Sequence, residues 1–258
     1  MIYLSTALFC EAKLFIELLG LKEDFSFGRV RVFKNENYIL TVTGAGVLTS
    51  ASALGFVLGK EEPNKGDIFL NIGICGGDEK GIFLCNKISF PGLEKEYFPD
   101  LVYDLGYPER ELITCLKPER NIPEGRLCDM EGAAVFECVR GHFSSERCFF
   151  IKIVSDKGDF EVLNQNKIYC LVKEYAEDII EKINTVPPVE TGFDLTGEML
   201  KEAEKLRLTV SQTVILKELL GFYSLKGGNP LELLKSLPRV KTKAEGRDVL
   251  EKIKRRVL

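Results

Sequence analysis

The chain has 258 residues but only one histidine, His142, so a mechanism that needs a His-His metal site or a mobile imidazole must run through that residue or fail. His142 itself falls at the end of a predicted helix, in Arg140-Gly141-His142-Phe143, where a partly exposed imidazole is ordinary. No CxxC pair occurs among the eight cysteines, at 10, 75, 85, 115, 128, 138, 148 and 170, which disfavours zinc-ribbon and dithiol redox readings. Several of them sit inside apolar runs, as Cys148 and Cys170 do, where cysteine behaves as a small buried hydrophobe. The expectation is a reduced, cytoplasmic protein. No stretch approaches the roughly 18 apolar residues of a membrane span. The apolar opening segment meets Glu11 and Lys13 before it reaches signal-peptide length. Charge of one sign is not in excess either: 35 basic side chains face 39 acidic ones, which gives no general attraction to nucleic acid or anionic lipid.

What the chain does have is alternation. Ile2 to Leu8 reads as a strand and Glu11 to Leu21 as a helix with Leu14, Phe15, Leu18 and Leu19 on one face. Arg29 to Phe33 and Tyr38 to Val42 form a predicted strand pair, followed by a helix over 49–59. Asp67 to Ile74 and Arg147 to Val154 are near-continuous apolar runs, the pattern of central strands covered on both faces. With helices predicted over 130–140 and 164–183, this is a three-layer α/β domain, a central mixed sheet flanked by helices, over residues 1–185. The prolines 187 and 188 end that pattern, and residues 186–258 read as helix only, a C-terminal extension expected to pack on the core.

Residues able to carry chemistry fall at strand ends, where open α/β sheets bind ligands. Gly44 and Gly46 follow the strand ending at Val42, in a loop that is neither a dinucleotide fingerprint nor a Walker loop and reads as a tight turn or a ligand loop. Gly73, Ile74 and Gly76 end the most apolar strand, either where it must bend or where a loop lies against a sugar or an anion. Asp129 reads as an N-cap, with Met130 next and Glu131 in the first helical turn. The two acids either complement the helix dipole or sit in a pocket made by the small residues that follow. Asp156 ends the other apolar strand, and Glu11 follows the first. Each has a bland reading as a cap or a solvated acid. Their convergence on one rim argues for more.

Three segments, Gly-Asp-Ile-Phe-Leu-Asn-Ile-Gly-Ile-Cys-Gly-Gly (66–77), Asp-Met-Glu-Gly-Ala-Ala (129–134) and Ile-Val-Ser-Asp-Lys-Gly-Asp (153–159), resemble in order and spacing the purine nucleoside phosphorylase superfamily, most of all its methylthioadenosine/adenosylhomocysteine nucleosidase branch. The resemblance covers roughly residues 1–185. It implies N-glycosidic cleavage of a purine nucleoside, with or without a modified 5′ group, through an oxocarbenium-like transition state. Asp156 would protonate N7 of the purine, which at neutral pH requires burial to raise its pKa. Glu131 would take the ribose hydroxyls and favour the cationic transition state, with Met130 under the sugar. Glu11 would orient the attacking water. No metal or cofactor enters.

Departures from the superfamily pattern bear on the acceptor. Asn71 and Ile74 stand where phosphorylases carry an arginine and a serine, and Lys13 is the nearest cation to Glu11 in sequence, so water is preferred to phosphate. A phosphate-dependent phosphorylase is the enzymatic alternative. A nucleoside-binding or partner-binding protein without turnover is the other, marked by Ile74 and the helical tail. Tyr97, Phe98 and Tyr103 fall where base-recognition loops belong and read either as core aromatics or as stacking partners; Phe160 has the same standing just past Asp156. Relatives commonly form dimers or larger oligomers, which makes a homodimer the expectation.

Overall fold

The computed structural model describes residues 1–64, 66–159, 163–188 and 195–257. The chain divides into two compact units, Met1–Pro188 and Val189–Leu258.

The first unit opens with β1 (Ile2–Thr6), a short strand whose residues from Tyr3 onward are buried, and α1 (Phe9–Leu19), which turns Ala12 and Phe15 inward. A two-residue strand β2 (Lys22–Glu23) and the pair β3 (Arg31–Lys34) and β4 (Tyr38–Val42) follow, the last two antiparallel as their turn sequence predicts. After α2 (Val47–Glu61) comes β5 (Ile68–Gly77), ten residues long and buried from Ile68 to Gly73, then β6 (Ile82–Phe90), β7 (Lys95–Tyr97), β8 (Glu109–Thr114) and β9 (Arg126–Asp129). The unit closes with α3 (Gly132–Val139), β10 (Cys148–Asp156), α4 (Gln165–Lys173) and α5 (Ala176–Asn184).

β1 lies between β4 and β5, parallel to both. β5 is long enough to change partners along its length. Its first half pairs with β1 and Phe69–Gly76 with β10, while Gly76 and Gly77 at its end pair antiparallel with Cys128 and Leu127 of β9. β9 continues to β8, β8 to β6, and β6 returns antiparallel to β10, so five strands close into a ring from which β1, β4, β3 and β2 extend. The sheet is therefore mixed and apolar on both faces. Phe69, Phe150 and Val135 belong to one buried cluster and Leu70, Ile72, Phe149 and Ile151 to another, as the pleat of β5 and β10 dictates. This is the expected layered α/β architecture, and it brings the carboxyl ends of β1, β4, β5 and β10 to one side.

Two predicted boundaries move. The helix expected from about residue 130 begins at Gly132, because Asp129 belongs to β9, held opposite Thr114 of β8. The helical stretch expected over 164–183 is two helices, interrupted at Glu174 and Tyr175.

The second unit contains α6 (Glu198–Glu204), α7 (Val210–Leu225), α8 (Pro230–Lys235) and α9 (Lys243–Val257) around a core that includes Leu206, Leu216, Leu220, Leu234 and Ile253. Thr209 caps α7 reciprocally with Gln212, and Asn229 caps α8 ahead of Pro230. Among the described residues no helix is long and apolar enough to cross a membrane.

Candidate active site

Glu11 is the third residue of α1, and its carboxylate reaches back to the Leu8 N–H at 2.7 Å through Oε2. The other oxygen, Oε1, crosses to β5 and accepts from the Ile74 N–H at 2.8 Å. A side chain that looks like a first-turn helix acid thus ties the end of β1 to the end of β5. It is 1% exposed, and burial pushes its pKa above the ordinary carboxylate range against the pull of those two N–H donors and of Lys152. Gly73 lies directly beneath: a Cβ there would sit 3.2 Å from Glu11 Oε1 and 3.6 Å from Lys152 Nζ.

Asp129 is held from three directions. Thr114 Oγ1 donates to Oδ1 at 2.8 Å, while the Gly132 N–H at 2.8 Å and Lys152 Nζ at 2.9 Å donate to Oδ2. The bond to Gly132 is the cap-like contact that an acid before a helix leads one to expect, made here from a strand. Glu131 occupies the N-cap position, and its Oε1 accepts from the Gly46 N–H at 2.6 Å. Among the described residues no donor meets Oε2. Gly46 has φ 92°, a conformation that side chains other than glycine's resist, and this lets the loop after β4 aim its N–H at Glu131. Burial, followed by the neighbouring charge of Asp129, raises the Glu131 pKa to about 7, with Lys152 and the Gly46 N–H opposing.

Asp156 ends β10 just past a register shift, half-buried, with Oδ2 accepting from its neighbour Ser155 Oγ at 2.7 Å and Oδ1 from the Gly158 N–H at 2.8 Å. Glu11, Ile74, Gly76, Asp129, Met130, Glu131 and Asp156 all line one cavity. Ala45, between Gly44 and Gly46, lines it as well.

Phe98 is placed elsewhere. It is 60% exposed, lies over Lys87 with Nζ 5.8 Å from its ring centre, and lines a separate surface cavity with Asn86 and Arg110. Its neighbour Tyr97 is core, packed on Phe136 at 5.0 Å and donating its hydroxyl to Glu137. Tyr103 packs on Phe149. Phe160 lies outside the described residues.

Sequence reasoning missed Lys152, and it missed Pro118, Glu119 and Ile122, which line the cavity from the loop after β8. The lysine had a signal: a charge in the middle of the apolar run from Cys148 to Val154. A fully buried lysine is rare without a partner. Burial alone would lower its pKa, but the charges of Asp129 and Glu131 hold it above the ordinary lysine value. The loop falls in the segment 89–123 where the resemblance puts base-recognition loops, but nothing in Lys117-Pro118-Glu119 itself distinguishes a cavity wall from a surface turn.

Five acidic residues, Glu11, Glu119, Asp129, Glu131 and Asp156, line the cavity, and among the described residues no lysine, arginine or histidine does. Lys152 stands behind this surface, paired to Asp129. Such a cavity repels anions and stabilises positive charge, and its acids offer proton donors and acceptors at several points. Among the described residues no group of three or more His, Cys, Asp or Glu is arranged to hold a metal ion.

No family model matches the chain, and no curated protein matches its sequence. Solved structures do match. A nucleosidase from Chlamydia trachomatis covers 72% of this chain and 98% of its own at 19% identity, with a TM-score of 0.57. The 5′-methylthioadenosine/S-adenosylhomocysteine nucleosidase of Neisseria meningitidis, solved with methylthio-immucillin-A, covers 72% and 99% at 16% identity, with a TM-score of 0.58. An aspartate-to-asparagine mutant from Helicobacter pylori, solved with 5′-methylthioadenosine in its active site, covers 70% and 98% at 13% identity, with a TM-score of 0.54. At these identities the likeness is one of fold: the chain carries the fold of the methylthioadenosine/adenosylhomocysteine nucleosidases.

Proposed function

We propose that this protein hydrolyses the N-glycosidic bond of a purine nucleoside. The observation that carries the reading is the gathering of Glu11, Glu131 and Asp156, from three distant segments, on one cavity that among the described residues is lined by acids and by no lysine, arginine or histidine. Cleavage of a nucleoside places positive charge on the sugar and needs a proton on the departing base. Both demands are met by carboxyl groups alone.

In this reading Asp156 donates to N7 of the purine, with Ser155 and the Gly158 N–H fixing the carboxyl's orientation. A positioned general acid contributes about 10²–10⁴-fold in rate. Glu131, anchored at one oxygen by Gly46, offers the other to the ribose hydroxyls. Its charge attracts the cationic transition state more than the neutral substrate, by about 4 kcal/mol at 4 Å in a medium of effective dielectric near 20. Glu11, rigidly bonded through both oxygens, orients the attacking water. Asp129 and Lys152 neutralise one another and set the field in which Glu131 titrates.

Water is the acceptor because phosphate would enter a cavity ringed by acids, and among the described residues no arginine lines it. The solved neighbours make 5′-methylthioadenosine and S-adenosylhomocysteine the first substrates to assay. Leu48 and Phe56, eight residues apart on α2 and 84% and 51% exposed, support a homodimer through that face. Eight free cysteines support a cytoplasmic setting.

The test is to incubate the protein with a panel of nucleosides, with and without phosphate, and to follow free base. Release without phosphate is expected. Strict dependence on phosphate would make it a phosphorylase, and tight binding without release would make it a nucleoside-binding protein.

A further inference from the structure

Cys115 and Cys128 are 13 residues apart in sequence, yet their sulfur atoms lie 2.8 Å from one another. The sheet enforces this. β8 and β9 run parallel with Ile113 opposite Cys128 and Thr114 opposite Asp129. The pleat turns Thr114 and Asp129 to one face, where they hydrogen-bond, and Ile113, Cys115 and Cys128 to the other. The Cys115 N–H donates to the Asp129 carbonyl at 2.7 Å, so the backbone on both sides of the sulfur pair is fixed. Cys128 is buried and lines the carboxylate cavity; both cysteines line an adjoining cavity with Phe90, Ile113 and Leu116. Both are free thiols here.

We propose that Cys115 and Cys128 are a modification site, a dithiol that closes to a reversible internal disulfide when it meets a small-molecule disulfide. Cys115, the more accessible, attacks one sulfur of the reagent as its thiolate, forming a mixed disulfide and releasing one thiolate, which takes up a proton. Cys128 then gives up its proton and attacks the Cys115 sulfur, forming the internal S–S bond and releasing the second small thiol. Two protein thiols are oxidised and one reagent disulfide is reduced to two thiols. The closing step moves the sulfurs from 2.8 Å to about 2.05 Å. Burial pushes both thiols above the ordinary cysteine range, which makes the first exchange slow. Proximity makes the second one fast. The bond would join the first residue of the loop that carries Pro118, Glu119 and Ile122 to the strand that leads into Met130 and Glu131.

The experiment is independent of the proposed hydrolysis, because it reads sulfur chemistry and not base release. The full-length protein is treated with oxidised glutathione, quenched in acid and mapped by mass spectrometry without reduction. The exposed Cys170 serves as an internal control and should carry a glutathione adduct. The expected product is a peptide pair joined through Cys115 and Cys128, lost on adding dithiothreitol and absent from Cys115→Ser. The proposal is overturned if Cys170 is modified while Cys115 and Cys128 remain thiols, hold glutathione without closing, or join other cysteines.

Discussion

Lys152 Nζ lies 2.9 Å from Asp129 Oδ2 with the two side chains 2% and 1% exposed, a salt bridge enclosed between β9 and β10 beneath the candidate site. Neither charge reaches solvent, so each exists because of the other. Removing one partner strands the second. Lys152→Met should therefore destabilise the protein by about 3–5 kcal/mol, measured by denaturant unfolding. The double variant Lys152→Met/Asp129→Leu should recover a large part of that loss, a non-additivity that a pair without coupling would not show.

Glu131 titrates against this pair. Its folded pKa, raised from 4.5 to about 7, means that the folded protein holds a proton which the unfolded chain has already lost between those values. Its contribution to stability is thus full below about pH 4.5 and is lost as pH rises through 7. Glu131→Gln should gain stability relative to wild type on going from pH 5 to pH 8, by roughly 1–3 kcal/mol. Thermal melts at the two pH values check this; a difference of opposite sign would contradict the assignment. In the proposed hydrolysis, kcat/KM should rise with pH around 7 as Glu131 loses its proton, and that rising limb should vanish in Glu131→Gln.

Glu11 spends both oxygens on backbone N–H groups, those of Leu8 and Ile74. Glu11→Gln keeps an acceptor for one and turns an amide against the other. A fall in kcat of about 10²–10⁴-fold with little change in KM is expected if Glu11 acts on water. Steady-state kinetics at saturating substrate distinguish this from a binding defect, which would raise KM and spare kcat.

Gly158 connects the Asp156 turn to the loop after β8. Its φ is 95°, and a Cβ there would lie 2.5 Å from the Arg120 carbonyl oxygen, a backbone atom that cannot swing aside. Gly158→Ala should cost about 1–3 kcal/mol and push back the loop that carries Pro118, Glu119 and Ile122. A raised KM, with a lowered melting temperature, is the expected signature.

Much of this arrangement is legible in the chain. The apolar runs before Ile74 and Val154 announce β5 and β10, and the α/β alternation announces the layered sheet. Glu11 and Asp156 come together on one cavity because the parallel strands β1 and β10 deliver their carboxyl ends to one side. What escapes is set by pairing across the fold. Asp129 before small residues reads as a helix cap, and only its place opposite Thr114 makes it a strand residue. Tyr97 and Phe98 are adjacent aromatics in sequence, yet Tyr97, the last residue of β7, is buried against Phe136 while Phe98, just past the strand, stays at the surface. Lys152 stands out in its run, but nothing local names Asp129 as its partner. Cys115 and Cys128 are too far apart for any short motif, and the parallel register alone joins them.

In the proposed reaction, carboxyl groups just past the ends of β1 and β9 and at the end of β10 cleave a nucleoside with water. The most direct test is free-base release from 5′-methylthioadenosine in phosphate-free buffer by wild type and Asp156→Asn. Release by the wild type and a loss of at least about 100-fold in the variant are expected. Release that survives Asp156→Asn undiminished would contradict the proposed reaction.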